Sequence, residues 1–311
     1  MFLDVCKKIQ SYSPFFEKSI ERSLSNSDVD WKKFAEQWIS ILVNTQNKID
    51  GSENSDQSII KLAKDYIDYT KMIRIEEMHY LKLKDYRYKD FNEVYERVYG
   101  NDARMQCYVT GLGMTQIFWQ NHYRIVNFYL NEFLPLTKGS TNFAEIGVGH
   151  GLFHYLMHKN TNFSVNSMIL DVSDYAVKWT KTLLMLHGVR EDQIKITLGD
   201  VQKKIDIQDN SLDVLLLGEI IEHLKSGEDV MKKLSKKVNA NGHCFFTTAA
   251  NAPAEDHILL FKNVKEIRDF VSDCNWVIIK ENIDTTNDVP LKTAEENLTN
   301  INYSAILKRK T

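Results

Sequence analysis

The sequence predicts an α/β protein. An all-helical N-terminal region, residues 1–136, precedes a seven-stranded, mostly parallel sheet with helices on both faces, residues 137–311. Three observations lead there. Apolar residues recur at three- and four-residue spacing before residue 136. Short apolar runs alternate with helical stretches after residue 138. The first of those runs ends in a turn with three glycines at alternate positions.

In the first region the helical period is clearest in Trp31-Lys-Lys-Phe-Ala-Glu-Gln-Trp-Ile and in Ile59-Ile-Lys-Leu-Ala-Lys-Asp-Tyr-Ile. The polar stretch 45–58 is expected to be a connecting loop, and Gly111-Leu-Gly113 reads as punctuation before one long aromatic-rich helix over 114–133. Strands are expected at 143–147, 167–171, 194–198, 214–218, 243–247, 276–281 and 303–307. Apolar residues at 43% and charged residues at 26% are ordinary for a folded soluble chain, and no apolar run approaches a spanning length of roughly 20 residues. The four cysteines form no C-x-x-C pair, so buried free thiols are expected. A net charge of −3 gives no basic surplus for phosphate contacts. The expected setting is cytoplasmic. The expected partner is a small molecule, with no nucleic acid and no membrane, and the sequence leaves room for a homodimer.

The chemistry sits in Asn142-Phe-Ala-Glu145-Ile-Gly147-Val-Gly149-His-Gly151. Glycine is required where a turn is tight and where a ligand lies against bare backbone. The third glycine comes two residues after the second, which departs from the dinucleotide-binding pattern. Downstream, Leu170-Asp171-Val172-Ser173 ends the second strand with a carboxylate suited to two vicinal hydroxyls, and Leu198-Gly-Asp200-Val201 ends the third. Either aspartate alone reads more readily as a helix N-cap than as a ligand, and it is their joint register behind the glycine loop that favours the ligand reading.

Together these motifs resemble the class I, Rossmann-like S-adenosylmethionine-dependent methyltransferases over residues 142–308. The resemblance implies that Gly147, Gly149 and Gly151 cradle the methionyl part of the cofactor, with Gly218 beside it, and that Glu145 anchors its amino group through water. It further implies that Asp171 and Val172 meet the ribose and that Asp200 and Val201 bind the adenine.

The fourth-strand block Asp213-Val-Leu-Leu-Leu-Gly218-Glu219-Ile-Ile-Glu222-His223-Leu is similar to that of the ubiquinone-pathway O-methyltransferases. It is similar, more weakly, to that of the small-RNA 2′-O-methyltransferases. Glu219, Glu222 and His223 fall at i, i+3 and i+4, so a helix beginning near Gly218 would line them on one face, and His257 after the fifth strand is expected to meet them. Two readings stay open. The four hold a divalent ion that lowers the pKa of an acceptor hydroxyl, or Glu222 and His223 tie the loop to the sheet. Under both, His223 and His257 are candidates for accepting the acceptor's proton, with Glu219 beside them as a third catalytic candidate. Tyr108, Gln116, Trp119, His122 and Tyr123 lie where relatives carry covering helices. His150, His154 and His158 recur every fourth residue, as one helix face can, and are read as structural. The expected activity is methyl transfer to an O or N nucleophile of a small molecule, in a specialised-metabolite or cofactor pathway. The alternatives are an RNA ribose methyltransferase and a cofactor-binding subunit that activates a partner.

Overall fold

The computed structural model describes residues 1–162 and 164–310. Seven helices fill the N-terminal region: α1 (Phe2–Tyr12), α2 (Glu17–Ser25), α3 (Val29–Asp50), α4 (Ser55–Leu83), α5 (Phe91–Val94), α6 (Asp102–Phe118) and α7 (Gln120–Phe128). Two π-helical segments, Tyr95–Tyr99 and Tyr129–Phe133, follow α5 and α7.

The expected loop over 45–58 contracts to residues 51–54. Gly51, left-handed at φ 63°, ends α3, and the Asn54 side chain accepts from Asp56 N to begin α4. The polar residues taken for a loop belong to the end of one helix and the start of the next. Gly111 and Gly113 lie inside α6 rather than before it. A Cβ on Gly111 would sit 2.5 Å from Cβ of Tyr69, so this glycine is there to let α6 press against α4. The single helix expected over 114–133 breaks at Trp119, whose backbone is extended at φ −106° and ψ 115°.

The sheet contains β1 (Asn142–Ile146), β2 (Asn166–Asp171), β3 (Ile194–Leu198), β4 (Leu212–Gly218), β5 (Val238–Ala250), β6 (Trp276–Thr285) and β7 (Ile301–Arg309), in the order β3-β2-β1-β4-β5-β7-β6. Strands β1 to β5 are parallel, and β7 runs antiparallel between β5 and β6. The remaining helices are α8 (Leu152–Asn160), α9 (Asp174–Leu186), α10 (Gly227–Ser235), α11 (Val264–Asp273) and α12 (Leu291–Glu296).

Both faces of the sheet are covered, and the strand period shows it. Val214, Leu216 and Phe245 join one apolar cluster, while Leu215, Leu217 and Phe246 join the other with α10 and α11. The first cluster runs without a break from α1, α3 and α4 into α8 and α9, so the helical region shares its core with one face of the sheet. Phe245 is its junction, with Tyr129, Phe133 and Phe153 packed at ring separations of 4.7, 5.2 and 5.2 Å. Strand order reverses between β1 and β4, which opens a crevice at the carboxyl ends of the strands. Among the described residues no helix is long and apolar enough to cross a membrane.

Candidate active site

A cavity of about 410 Å³ occupies this crevice. Its floor comes from the carboxyl ends of β1 to β5, and its roof from α4, α6 and the Tyr95–Tyr99 segment.

Of the residues expected to bind cofactor, Gly147, Gly149, Asp171, Val172, Asp200, Val201 and Gly218 line it. Gly149, at φ 48°, has open space where a Cβ would stand. Asp171 accepts from Val148 N and Ser173 N, both at 2.8 Å, which ties the glycine loop to the end of β2. Burial raises its pKa, while those backbone donors act in the opposite direction. Its oxygens retain lone pairs for a ligand hydroxyl. Asp200 accepts from Gln202 N at 2.9 Å.

Two of the expected cofactor residues lie elsewhere. Glu145 points away from the cavity and pairs with His154 Nδ1 at 3.1 Å in the interior, where burial holds its carboxyl well above the usual range. It was placed by its neighbours in sequence, but a β-strand side chain adjacent to Ala144 and Ile146 takes the opposite face from theirs. Gly151, at φ 77°, meets α9: a Cβ there would lie 2.7 Å from Thr180 Oγ1. His150 accepts from Leu152 N at 3.2 Å and His158 pairs with Ser167 at 3.0 Å, so the three evenly spaced histidines have three separate structural partners.

The acceptor end differs from the helical face expected. After β4 the chain makes a 3-10 turn, Ile221–His223, and Glu219 before it adopts the left-handed conformation at φ 50°. That strained backbone is held by Glu219 N donating to Thr247 Oγ1 at 3.0 Å. Burial first, then the charge of Glu222, pushes the carboxyl of Glu219, which lines the cavity, well above its ordinary range. Glu222 is fully buried, with Oε2 accepting from Thr248 Oγ1 at 2.9 Å and Oε1 without a hydrogen-bond partner.

Glu222, His223 and His257 each offer a ligand atom within 4.8 Å of the others, and Glu219 falls outside this group. Both imidazoles are oriented through Nδ1. That of His257 meets the Ala252 carbonyl at 2.5 Å, and that of His223 meets the Asp256 carbonyl at 3.1 Å. A carbonyl only accepts, so each ring carries a proton on Nδ1 and offers Nε2. Tyr99 Oη donates to Asp256 Oδ2 at 3.0 Å and lies 2.9 Å from His223 Nδ1. Burial alone would lower the His223 pKa, but the buried Asp256 carboxylate outweighs it and raises it to about 9. Burial and the neighbouring His223 charge lower that of His257. The two rings stand 4.7 Å apart, and their neighbours shift their pKa values in opposite directions.

Tyr99 and Asp256 escaped the sequence reading. Asp256 could have been noticed beside His257, whereas nothing local marks Tyr99, which is 157 residues from its partner. Of the weaker candidates upstream, Tyr108, Trp119 and His122 line the cavity, while Gln116 and Tyr123 do not.

The sheet order, with its reversal between β1 and β4, is of the Rossmann-like kind. Residues 144–246 match the family model described as methyltransferase domain. No curated protein matches the chain by sequence. Similar solved structures include mitomycin 7-O-methyltransferase MmcR, at 9% identity over 82% of this chain and 71% of that one, with a TM-score of 0.52. Phosphoethanolamine N-methyltransferase 2 of Haemonchus contortus, solved with S-adenosyl-L-methionine, is 12% identical over 72% of this chain and 61% of that one, with a TM-score of 0.50. The (4+2)-cyclase SpnF is 8% identical over 62% and 83%, again at 0.50. At these identities the likeness is one of fold.

Proposed function

We propose that the protein transfers the methyl group of S-adenosylmethionine to an oxygen or nitrogen nucleophile of a small molecule held under the helical region. The observation that carries this reading is the continuity of the cavity. Gly149, Asp171 and Asp200 border one end and Glu219, His223 and His257 the other, with Tyr69, Tyr99, Tyr108 and Trp119 above. A cavity roofed in this way suits a compact acceptor and opposes a polynucleotide track.

Transfer from a sulfonium is an in-line displacement, so the protein aligns the nucleophile with the methyl and sees that a lone pair is free. His257, kept neutral, accepts the acceptor's proton at Nε2. His223, kept charged by Asp256, steadies the negative charge that develops nearby. Glu219, its carboxyl pushed upward by burial and by Glu222, stands beside them in the cavity lining.

A second reading is favoured by the Glu222, His223 and His257 cluster. Two ring nitrogens and an unpartnered carboxylate oxygen meet with no donor among them unless a ring is charged, and each Nδ1 has the carbonyl partner typical of metal-binding histidine. A divalent cation held by these three would lower the pKa of an acceptor hydroxyl.

The test offers methyl-labelled cofactor with the small-molecule, RNA and protein fractions of a cell extract. Label should enter the small-molecule fraction and be lost in His257→Ala, with cofactor binding retained. Label confined to RNA would overturn the reading. So would cofactor binding with no transfer to any fraction, which would leave a cofactor-binding subunit. Chelation followed by added Mg²⁺ or Mn²⁺ separates the two forms of the site: an unchanged rate with no ion in mass spectrometry removes the cation.

A further inference from the structure

Charge is unevenly spread around the cavity. Among the described residues no lysine lines it, and Arg74 stands on an open part of α4, its side chain 63% exposed and paired with Glu77 at 2.6 Å. Of the histidines in the lining, burial lowers the pKa of His122 and His257, and His223, raised by Asp256 against the effect of burial, has that carboxylate 3.3 Å away. Apart from Glu77, the lining carboxyls are Asp171 and Asp200 at the cofactor end and Glu219 at the other. Glu219 Oε1 is buried without a hydrogen-bond partner, as is Oε1 of Glu222 outside the lining, and a carboxylate oxygen can only accept. After burial, the charge of Glu222 is what raises the Glu219 carboxyl most, and a cation bound there would relieve it.

The helical region sets aromatic rings over this cavity. Tyr69 of α4 stands 5.7 Å from Tyr108 of α6, edge to face at 83°, and 6.2 Å from Trp119, the extended residue between α6 and α7. All three line the cavity. Burial, then the charges of Asp256 and Glu219, raise the Tyr69 phenol, so its hydroxyl stands within reach of those carboxyls. The Tyr69 side chain is only 6% exposed, yet among the described residues its hydroxyl makes no hydrogen bond. Aromatic rings attract a cation, most of all one removed from water, and rings set near a right angle form the corner of a cage for an ammonium. A buried carboxyl oxygen without a donor, below rings of this kind, calls for an organic cation that carries N–H groups.

We propose that the methyl acceptor is an amine that enters as an ammonium, with its N–H groups turned to the Glu219 carboxylate and the Tyr69 hydroxyl and its carbon body beneath Tyr108 and Trp119. This rests on the cavity being a site of methyl transfer to a small molecule, and it names the class of that molecule. The ammonium gives one proton to His257 Nε2, and the lone pair so freed forms the N–C bond as the S–C pair passes to sulfur. The positive charge of the sulfonium ends on nitrogen, and His257 returns its proton to water. An ether product would leave no charge beneath the rings, whereas an N-methylated ammonium keeps one there before and after transfer.

The test supplies methyl-labelled cofactor with the small-molecule fraction of a cell extract and reads by NMR which atom bears the labelled carbon. Nitrogen is expected. Oxygen would overturn the amine and leave small-molecule transfer standing, whereas no labelled small molecule would remove that reading as well. The residues are tested by calorimetry on protein saturated with S-adenosylhomocysteine, using phenethylamine and 2-phenylethanol, which differ in charge but little in size. The amine should bind at least about tenfold more tightly, as a hydrogen bond to a charged group implies. Glu219→Gln should remove most of that preference, and Tyr108→Leu should weaken the amine about fivefold. Unchanged S-adenosylhomocysteine binding reports that each variant is folded. No preference for the amine in the unaltered protein, or one that survives both substitutions, overturns the proposal. Displacement of the amine by added Mn²⁺ would give the carboxyl end to a metal ion and overturn it too.

Discussion

At Gly149 the chain turns bare backbone toward the cavity, and a side chain there has only ligand space to enter. Gly149→Arg should abolish S-adenosylhomocysteine binding in calorimetry while the chain still folds, because no protein atom lies within 4 Å of the new Cβ and a side chain at φ 48° costs about 1–2 kcal/mol. Asp171 does two jobs, so its removal should register in two ways. Asp171→Asn replaces a carboxylate that accepts from Val148 N and Ser173 N with an amide whose nitrogen cannot accept. Urea unfolding should show a loss of about 1–3 kcal/mol, and cofactor affinity should fall at least about tenfold. These residues were legible in the sequence because their placement follows from strand ends and turns. Glu145 was not, since a carboxylate at a strand end has two faces to choose from and only packing chooses.

Among the elements, α6 shows how a local signal is given its meaning by its neighbours. Two glycines in three residues read as an interruption, yet the helix continues through them. The missing side chain at Gly111 is what brings α4 into contact, with Asp65 O 2.9 Å and Tyr69 Cβ 2.5 Å from a Cβ built there. Gly111→Val should force the two helices apart and cost about 1–3 kcal/mol in denaturant unfolding, the usual range for overpacking a close contact. The post-β4 segment is a second case. Its three-and-four spacing suits a helix, but Glu219 is left-handed and the turn that follows is 3-10. The Tyr95–Tyr99 segment is a third. π turns are uncommon and concentrate at functional sites, and this one ends on the residue that joins the roof to Asp256 and His223.

For the molecule as a whole, the interior near the sheet holds neutral histidines. Burial lowers His150 to about 3, with His122 nearby adding to the effect, and lowers His122 and His158 to about 4. An unfolded histidine titrates near 6.5, so below that pH the unfolded chain binds protons that the folded chain refuses, and stability is lost as pH falls from about 6.5 toward 4. The raised carboxyls of Glu145 and Glu219 act in the opposite sense, so one histidine must be isolated to see the effect. The stability difference between the unaltered protein and His158→Gln, taken from urea midpoints, should shift against the unaltered protein by about 2 kcal/mol between pH 7 and pH 5. No shift would mean that His158 is not held neutral.

By itself the sequence determined the class of fold and the count of strands, because each depends on a period or a turn only a few residues long. It also offered His257, after the fifth strand, as a residue that could meet His223 of the fourth-strand block, and in the structure the two stand together with Glu222. Only the tertiary structure decided which way Glu145 faces, that Glu219 stands outside the cluster of Glu222, His223 and His257, and that Tyr99 meets Asp256 and His223 far along the chain. Those outcomes depend on which side chains burial brings together, for Tyr99 across more than a hundred residues, and no local pattern encodes such a meeting.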